Sequence, residues 1–145
     1  MIGALPDTLT VDGIDCPIRT DFRNILQVFE AFSDPELTQE EKWIVAIYLV
    51  FEAFSCAEDV ILAAQEGFNI QEAVEQISWF VTAGAPEREM LEKPTYSWKK
   101  DEQIIFSAVN KVAGVETRAL EYLHWWTFLG YFNEVGEGTF SFVVG

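Results

Sequence analysis

Apolar residues recur at strand spacing only near the start of the chain and at helical spacing along nearly all the rest. Leu9, Val11, Ile14 and Ile18 are set around the pair Asp12-Gly13. Asp-Gly between short β-prone runs favours a tight hairpin, because both central positions need positive φ, so a hairpin is predicted within residues 1–19. Phe22, Ile25, Leu26, Phe29 and Phe32 then follow the 3.6-residue period. They predict a first helix over 21–32, capped by Thr20 and stopped at Ser33-Asp34-Pro35. Thr38 with Glu41 forms a capping box for a second helix over 39–54, whose middle is very apolar. A third, over 55–67, ends at Gly67 and has Val60, Ile61 and Ala64 as its inner face. Asn69 with Glu72 supplies another capping box, opening a fourth helix that carries Ile70, Ala73, Val74, Ile77, Phe80 and Val81 before Gly84.

Residues 83–95 form the one candidate internal connection, with Gly84, Pro86, Pro94 and the charge run Glu87-Arg88-Glu89. It is long for a connection and has room for a short helical turn. Ser97 can cap a fifth helix over 98–113, with Ile104, Ile105, Ala108, Val109 and Val112 inside. After Gly114 comes the most apolar stretch, predicted as a helix over 116–135. On its wheel Leu120, Leu123, Thr127 and Tyr131 make one stripe and Trp125, Phe128 and Phe132 a second, while Tyr122, Trp126 and Leu129 cover most of the remainder. A helix without a wide polar face is either central in its domain or shared with a partner. The tail, 136–145, alternates like a strand after the glycines Gly136 and Gly138. The expected fold is mainly α, a single compact domain spanning 1–145, with five to six helices and a small N-terminal β-hairpin.

Charge narrows the function classes. The 145 residues carry 24 acids and 9 bases, a formal net charge of −15. Nucleic acid is therefore not an expected partner, since phosphate binding needs clustered Lys and Arg, and Lys99-Lys100 is the only adjacent basic pair. Cys16 and Cys56 have neither metal-ligand nor disulfide-framework spacing. No signal peptide is visible after Met1, and the longest apolar run, Trp43 to Phe51, falls short of the roughly 20 residues of a membrane span. A soluble, intracellular protein, without a membrane partner, is the expectation.

Catalytic chemistry has little to work with. His124 is the single histidine, and any Ser or Cys nucleophile would depend on it without a matching elbow or signature. Glu121 and His124 have the Glu-x-x-His spacing of di-iron bundle helices, but one copy per chain would require a metal site shared across a dimer. The expectation is no enzyme activity, no cofactor and no metal. The residues assigned to partner binding are Trp98, Trp125, Trp126, Phe128, Phe132, Phe140 and Phe142, since Trp and Tyr favour positions with one buried and one wet end. The competing reading makes Trp125, Trp126 and Phe128 simply core.

Three strings, Thr20-Asp21-Phe22-Arg23, Tyr96-Ser97-Trp98-Lys99-Lys100-Asp101 and His124-Trp125-Trp126-Thr127-Phe128, resemble in order and spacing the phage and prophage family named after gene product fifteen of a Listeria phage. The resemblance spans most of the chain. Members are encoded just upstream of the tape-measure protein of long-tailed phages, the position of tail assembly chaperones, so the resemblance implies a non-enzymatic chaperone that binds the tape-measure protein or another phage tail protein. Family members usually run on into a segment richer in Lys and Arg, whereas this sequence stops at Gly145. A structural tail or connector protein of the virion is the alternative, and a metal enzyme using Glu121 and His124 a more distant one. A homo-oligomer is also expected, through the Trp125, Phe128 and Phe132 side of the last helix or the Phe140 to Val144 tail, with Phe128→Glu or Phe142→Glu dissociating it.

Overall fold

A computed structural model of the chain describes residues 2–84 and 98–144, with side chains described over 2–84 and 101–134. Strands β1 (Thr8–Val11) and β2 (Ile14–Pro17) pair antiparallel, with Val11 opposite Ile14. Asp12 and Gly13 have φ of 51° and 77°, the pair of left-handed residues that a two-residue hairpin demands. Helices follow: α1 (Phe22–Phe32), α2 (Gln39–Val50), α3 (Ala57–Gln65), α4 (Ile70–Val81), α5 (Trp98–Ala113) and, after a 3-10 turn at Thr117–Ala119, α6 (Trp125–Val144). The fold is mainly α, with the predicted N-terminal hairpin. No helix among the described residues is long and apolar enough to cross a membrane.

Helix starts follow local chemistry with two adjustments. At α2 the capping box is complete: the Thr38 hydroxyl accepts from the Glu41 N–H and the Glu41 carboxylate accepts from the Thr38 N–H. The cap of α1 is Asp21, whose carboxylate accepts from the Arg23 N–H, and the expected cap Thr20 stands one residue outside. At α4 Asn69 caps the Glu72 N–H, but the Glu72 carboxylate reaches away to the backbone N–H of Asp12 at 2.5 Å. Asn69 donates back to the Asp12 carboxylate. The second half of that box has become a clamp between the hairpin turn and α4, and β1 lies against this helix.

The core is one continuous cluster. α1 packs on α2, α5 and α6, α2 on α3 and α4, and α5 along α6. Phe22, Ile25, Val28, Phe29 and Phe32 of α1 share one buried cluster with Ala46, Ile47 and Val50 of α2, Ala73, Ile77 and Phe80 of α4, and Trp125 and Phe128 of α6. α2 ends at Val50 rather than at 54 for a tertiary reason. Arg19 donates its backbone N–H to the Val50 carbonyl, while its guanidinium donates to the carbonyls of Tyr48, Phe51, Glu52 and Phe54 at 2.7–3.3 Å. One planar fork thus satisfies the carbonyls left over where the helix stops. An ammonium cannot reproduce that geometry, so Arg19→Lys is expected to cost about 1–2 kcal/mol, read as a lowered urea midpoint with an unchanged slope.

Candidate functional site

Two of the three conspicuous strings meet. The Trp125 N–H donates to the Thr20 carbonyl at 2.7 Å and the Phe22 N–H to the Leu123 carbonyl at 2.9 Å, an antiparallel bridge centred on Asp21 and His124. Asp21 Oδ1 also accepts from the Leu123 N–H at 2.9 Å. Arg23 pairs with Asp21 at 3.0 Å, donates to the carbonyls of Arg118 and Leu120, and lies over the Phe22 ring at 4.6 Å. The hydroxyls of Thr20 and Tyr122 share a 2.5 Å hydrogen bond. Strings about a hundred residues apart therefore form one polar clasp over the start of α6.

This clasp corrects the helix predicted over 116–135. Both backbone groups of Leu123 and the N–H of Trp125 are spent on pairing with 20–22, so after the 3-10 turn the chain is extended and α6 begins at Trp125. Glu121 and His124 consequently do not share a helix face. At the other end α6 continues to Val144, so the tail expected to alternate as a strand is helical.

His124 is buried and caps α6. Its Nδ1 accepts from the Trp126 N–H at 2.9 Å, which leaves Nε2 to carry the proton and donate to the Pro6 carbonyl at 2.8 Å. Both ring nitrogens are committed, and ligation of a metal would require breaking one of these bonds. The indoles of Trp125 and Trp126 donate to the carbonyls of Val81 and Phe80 at 2.8 and 2.7 Å. Adjacent tryptophans at the start of one helix thereby bond adjacent carbonyls at the end of another, where helical acceptors run out; the Phe80 carbonyl accepts from the Ala83 N–H as well. The Phe128 ring stacks on Phe22 at 4.7 Å with planes 4° apart, and Trp125 lies against Phe29.

Of the residues assigned to partner binding, Trp125 and Phe128 are 1% and 0% exposed, so their rings are spent inside this chain. Phe128→Glu would accordingly place a carboxylate in the core and unfold the protein, and it is no test of dissociation. Trp126 and Phe132 are half-buried against the core. Trp98 opens α5 and Phe140 and Phe142 lie in α6, but their side chains are outside the described residues, as are the connection at 85–95 and the cap expected at Ser97.

Polar groups elsewhere serve structure. Among the described residues no group of three or more His, Cys, Asp or Glu could hold a metal ion. Burial pushes the Cys16 thiol up, against a smaller opposing effect of a backbone hydrogen bond from Val11, so this thiol is a poor nucleophile. Glu116 caps the 3-10 turn. A side-chain hydrogen bond from Arg118 is the main cause that lowers its carboxyl from the ordinary 4.5 to about 2, with help from the Arg118 N–H and Asn110. A depressed carboxyl stabilises the fold above its unfolded value and withdraws that support as pH falls through the folded one. Glu116 should therefore remain ionised to about pH 2, and Glu116→Gln should flatten the stability profile between pH 4.5 and about 2, checked by carboxyl NMR titration and acid unfolding. The pair is exposed, so molar salt should shrink the effect.

What opens outward is a groove between α2, α3 and α4. It has a volume near 540 Å³ and is lined by Trp43, Ile44, Ile61, Ala64, Ile70 and Val74, with Glu40, Gln65 and Gln71 at its edges. Ile61 is 45% exposed and Ala64 also exposed, although helical spacing assigned both to the inner face of α3; only Val60 of that face is buried. The overlooked signal is composition. Val60-Ile61-Leu62-Ala63-Ala64 on α3 and Trp43 to Val50 on α2 cover more of each helix than their neighbours in this chain can bury. Ile104 and Val112 of α5, likewise predicted inside, are 51% and 39% exposed, while Ile105 and Val109 are buried.

No curated protein matches the chain, and no solved structure matches it. A family profile described as bacteriophage Gp15 protein matches residues 1–144, a span that includes both halves of the clasp, the two tryptophans and the helices lining the groove. The chain belongs to the bacteriophage Gp15 protein family.

Proposed function

We propose that this phage protein is a non-enzymatic tail assembly chaperone that binds the tape-measure protein in the host cytoplasm while the tail is built. The observation that carries the reading is the open apolar groove, a shape suited to holding one face of an amphipathic helix. Two things support it. The resemblance implies a gene neighbour of that kind, and the chain's histidine and paired tryptophans are occupied with holding the fold together. Self-association through the distal half of α6, which carries Phe140 and Phe142, belongs to the same proposal, and light scattering that reports a monomer at micromolar concentration would remove it.

Co-expression with the tape-measure protein tests the main reading. The two should co-purify, and the tape-measure protein expressed alone should aggregate. Mass spectrometry of purified virions completes the test: a chaperone is absent, whereas stoichiometric copies in the particle would identify a structural tail or connector protein and overturn the proposal.

A further inference from the structure

We infer that the groove between α2, α3 and α4 takes a basic amphipathic helix, a leucine-rich edge flanked by Lys and Arg, from the partner; the inference deepens the chaperone reading and rests on it for the identity of that partner. The floor is apolar and formed by three helices, with Trp43 and Ile44 on one side, Ile61 and Ala64 on the second, and Ile70 and Val74 on the third. Such a trough accepts residues spaced i, i+3, i+4 and i+7 along a helix. The rim decides the charge of the occupant. Residues 36–81 contain nine Asp and Glu and a single base, Lys42. Glu40 lines the groove, Glu75 bonds to the lining Gln71, and exposed Glu58 stands one turn before Ile61 on the same helix face. Lys42 is two residues from Glu40, about 200° round α2, and cannot offset that rim.

Charge also argues against a second copy as the occupant. The most apolar element a second copy could insert, α6, has no Lys or Arg between Trp125 and Val144 and adds Glu134 and Glu137. Each copy carries −15. A basic helix gains attraction at the rim and burial on the floor, and only that class satisfies both.

The test uses the full chain and fluorescein-labelled peptides of about 18 residues, long enough for an inducible helix. One peptide is a Leu/Lys amphipathic sequence, and the other replaces each Lys with Glu at the same apolar spacing. By anisotropy the Leu/Lys peptide should bind with micromolar affinity and the Leu/Glu peptide should not. Ile61→Lys and Ala64→Arg, both at exposed positions, should each weaken binding at least about tenfold with an unchanged melting curve, while Ile104→Lys on α5 should leave it unaltered. Equal binding of both peptides, or no effect of either groove variant, overturns the inference. So does a groove-dependent dimer by light scattering. Repeating the co-purification with Ile61→Lys separates the two claims: tape-measure protein retained by this variant sinks the groove assignment alone, whereas a groove that binds the Leu/Lys peptide in a chain that never retains tape-measure protein sinks the chaperone reading alone.

Discussion

Trp125→Ala is expected to lower stability by about 3–5 kcal/mol. The indole is 1% exposed and lies against Phe29 and Phe128, so its removal leaves a cavity where α1 and α6 meet. It also strips the hydrogen-bond donor from the Val81 carbonyl, an acceptor at the end of α4 with no helical partner of its own. Domains of this kind are stable by about 5–15 kcal/mol in all, so the variant should melt about 10–15 °C lower, at roughly 2–4 °C per kcal/mol. Trp125→Phe keeps most of the bulk and loses the N–H, and should cost about 1–2 kcal/mol. If Trp125 were instead a contact for a partner, the alanine variant would melt normally and lose only its partner. Thermal unfolding distinguishes these outcomes without knowledge of the partner.

Asp21→Ala is also expected to destabilise the fold strongly. The carboxylate caps α1, accepts from the Leu123 N–H and holds the Arg23 guanidinium. Loss of an N-cap costs about 1 kcal/mol, and an orphaned, part-buried N–H adds about 1–3. The ion pair itself contributes little, because Arg23 is partly exposed. A total of about 2–4 kcal/mol is expected, and Asp21→Asn, which retains one acceptor oxygen, should recover about half. The diagnostic sign is coupling. Asp21→Ala and Tyr122→Phe both loosen the same clasp, so their combined loss should be smaller than the sum, unlike that for sites more than about 10 Å apart. Urea unfolding of the two single variants and the double variant gives the answer.

Legibility in the sequence followed the range of the forces involved. The hairpin turn at Asp12-Gly13 and the capping box at Thr38 and Glu41 are decided within four residues, and both are present as expected. Helical periodicity placed Phe22, Ile25, Phe29 and Ile77 inside correctly. The stretch 116–124 defeated the same logic, because the backbone partners of Leu123 lie near residue 20 and spacing along one segment carries no record of them. Glu72 is a similar case: its position satisfies a capping pattern, yet the hairpin turn offers a competing donor in Asp12. The aromatic string at His124 drew attention to partner binding because of its apolar character. Its indole and imidazole nitrogens have hydrogen-bond partners within the chain. Ile61 and Ala64 show the reverse error. They read as an inner face, and the structure leaves them open at a groove.

On the function proposed above, there is a division of labour: residues 20–23 and 124–128 hold the domain together, and α2, α3 and α4 would meet the partner. Hydrogen–deuterium exchange on the chain alone and in complex with the tape-measure protein tests it most directly. The account predicts slow exchange at 20–23 and 124–128 in both states, with new protection on complex formation concentrated in α2, α3 and the first half of α4. New protection confined to 124–134, with α2, α3 and α4 unchanged, would contradict it.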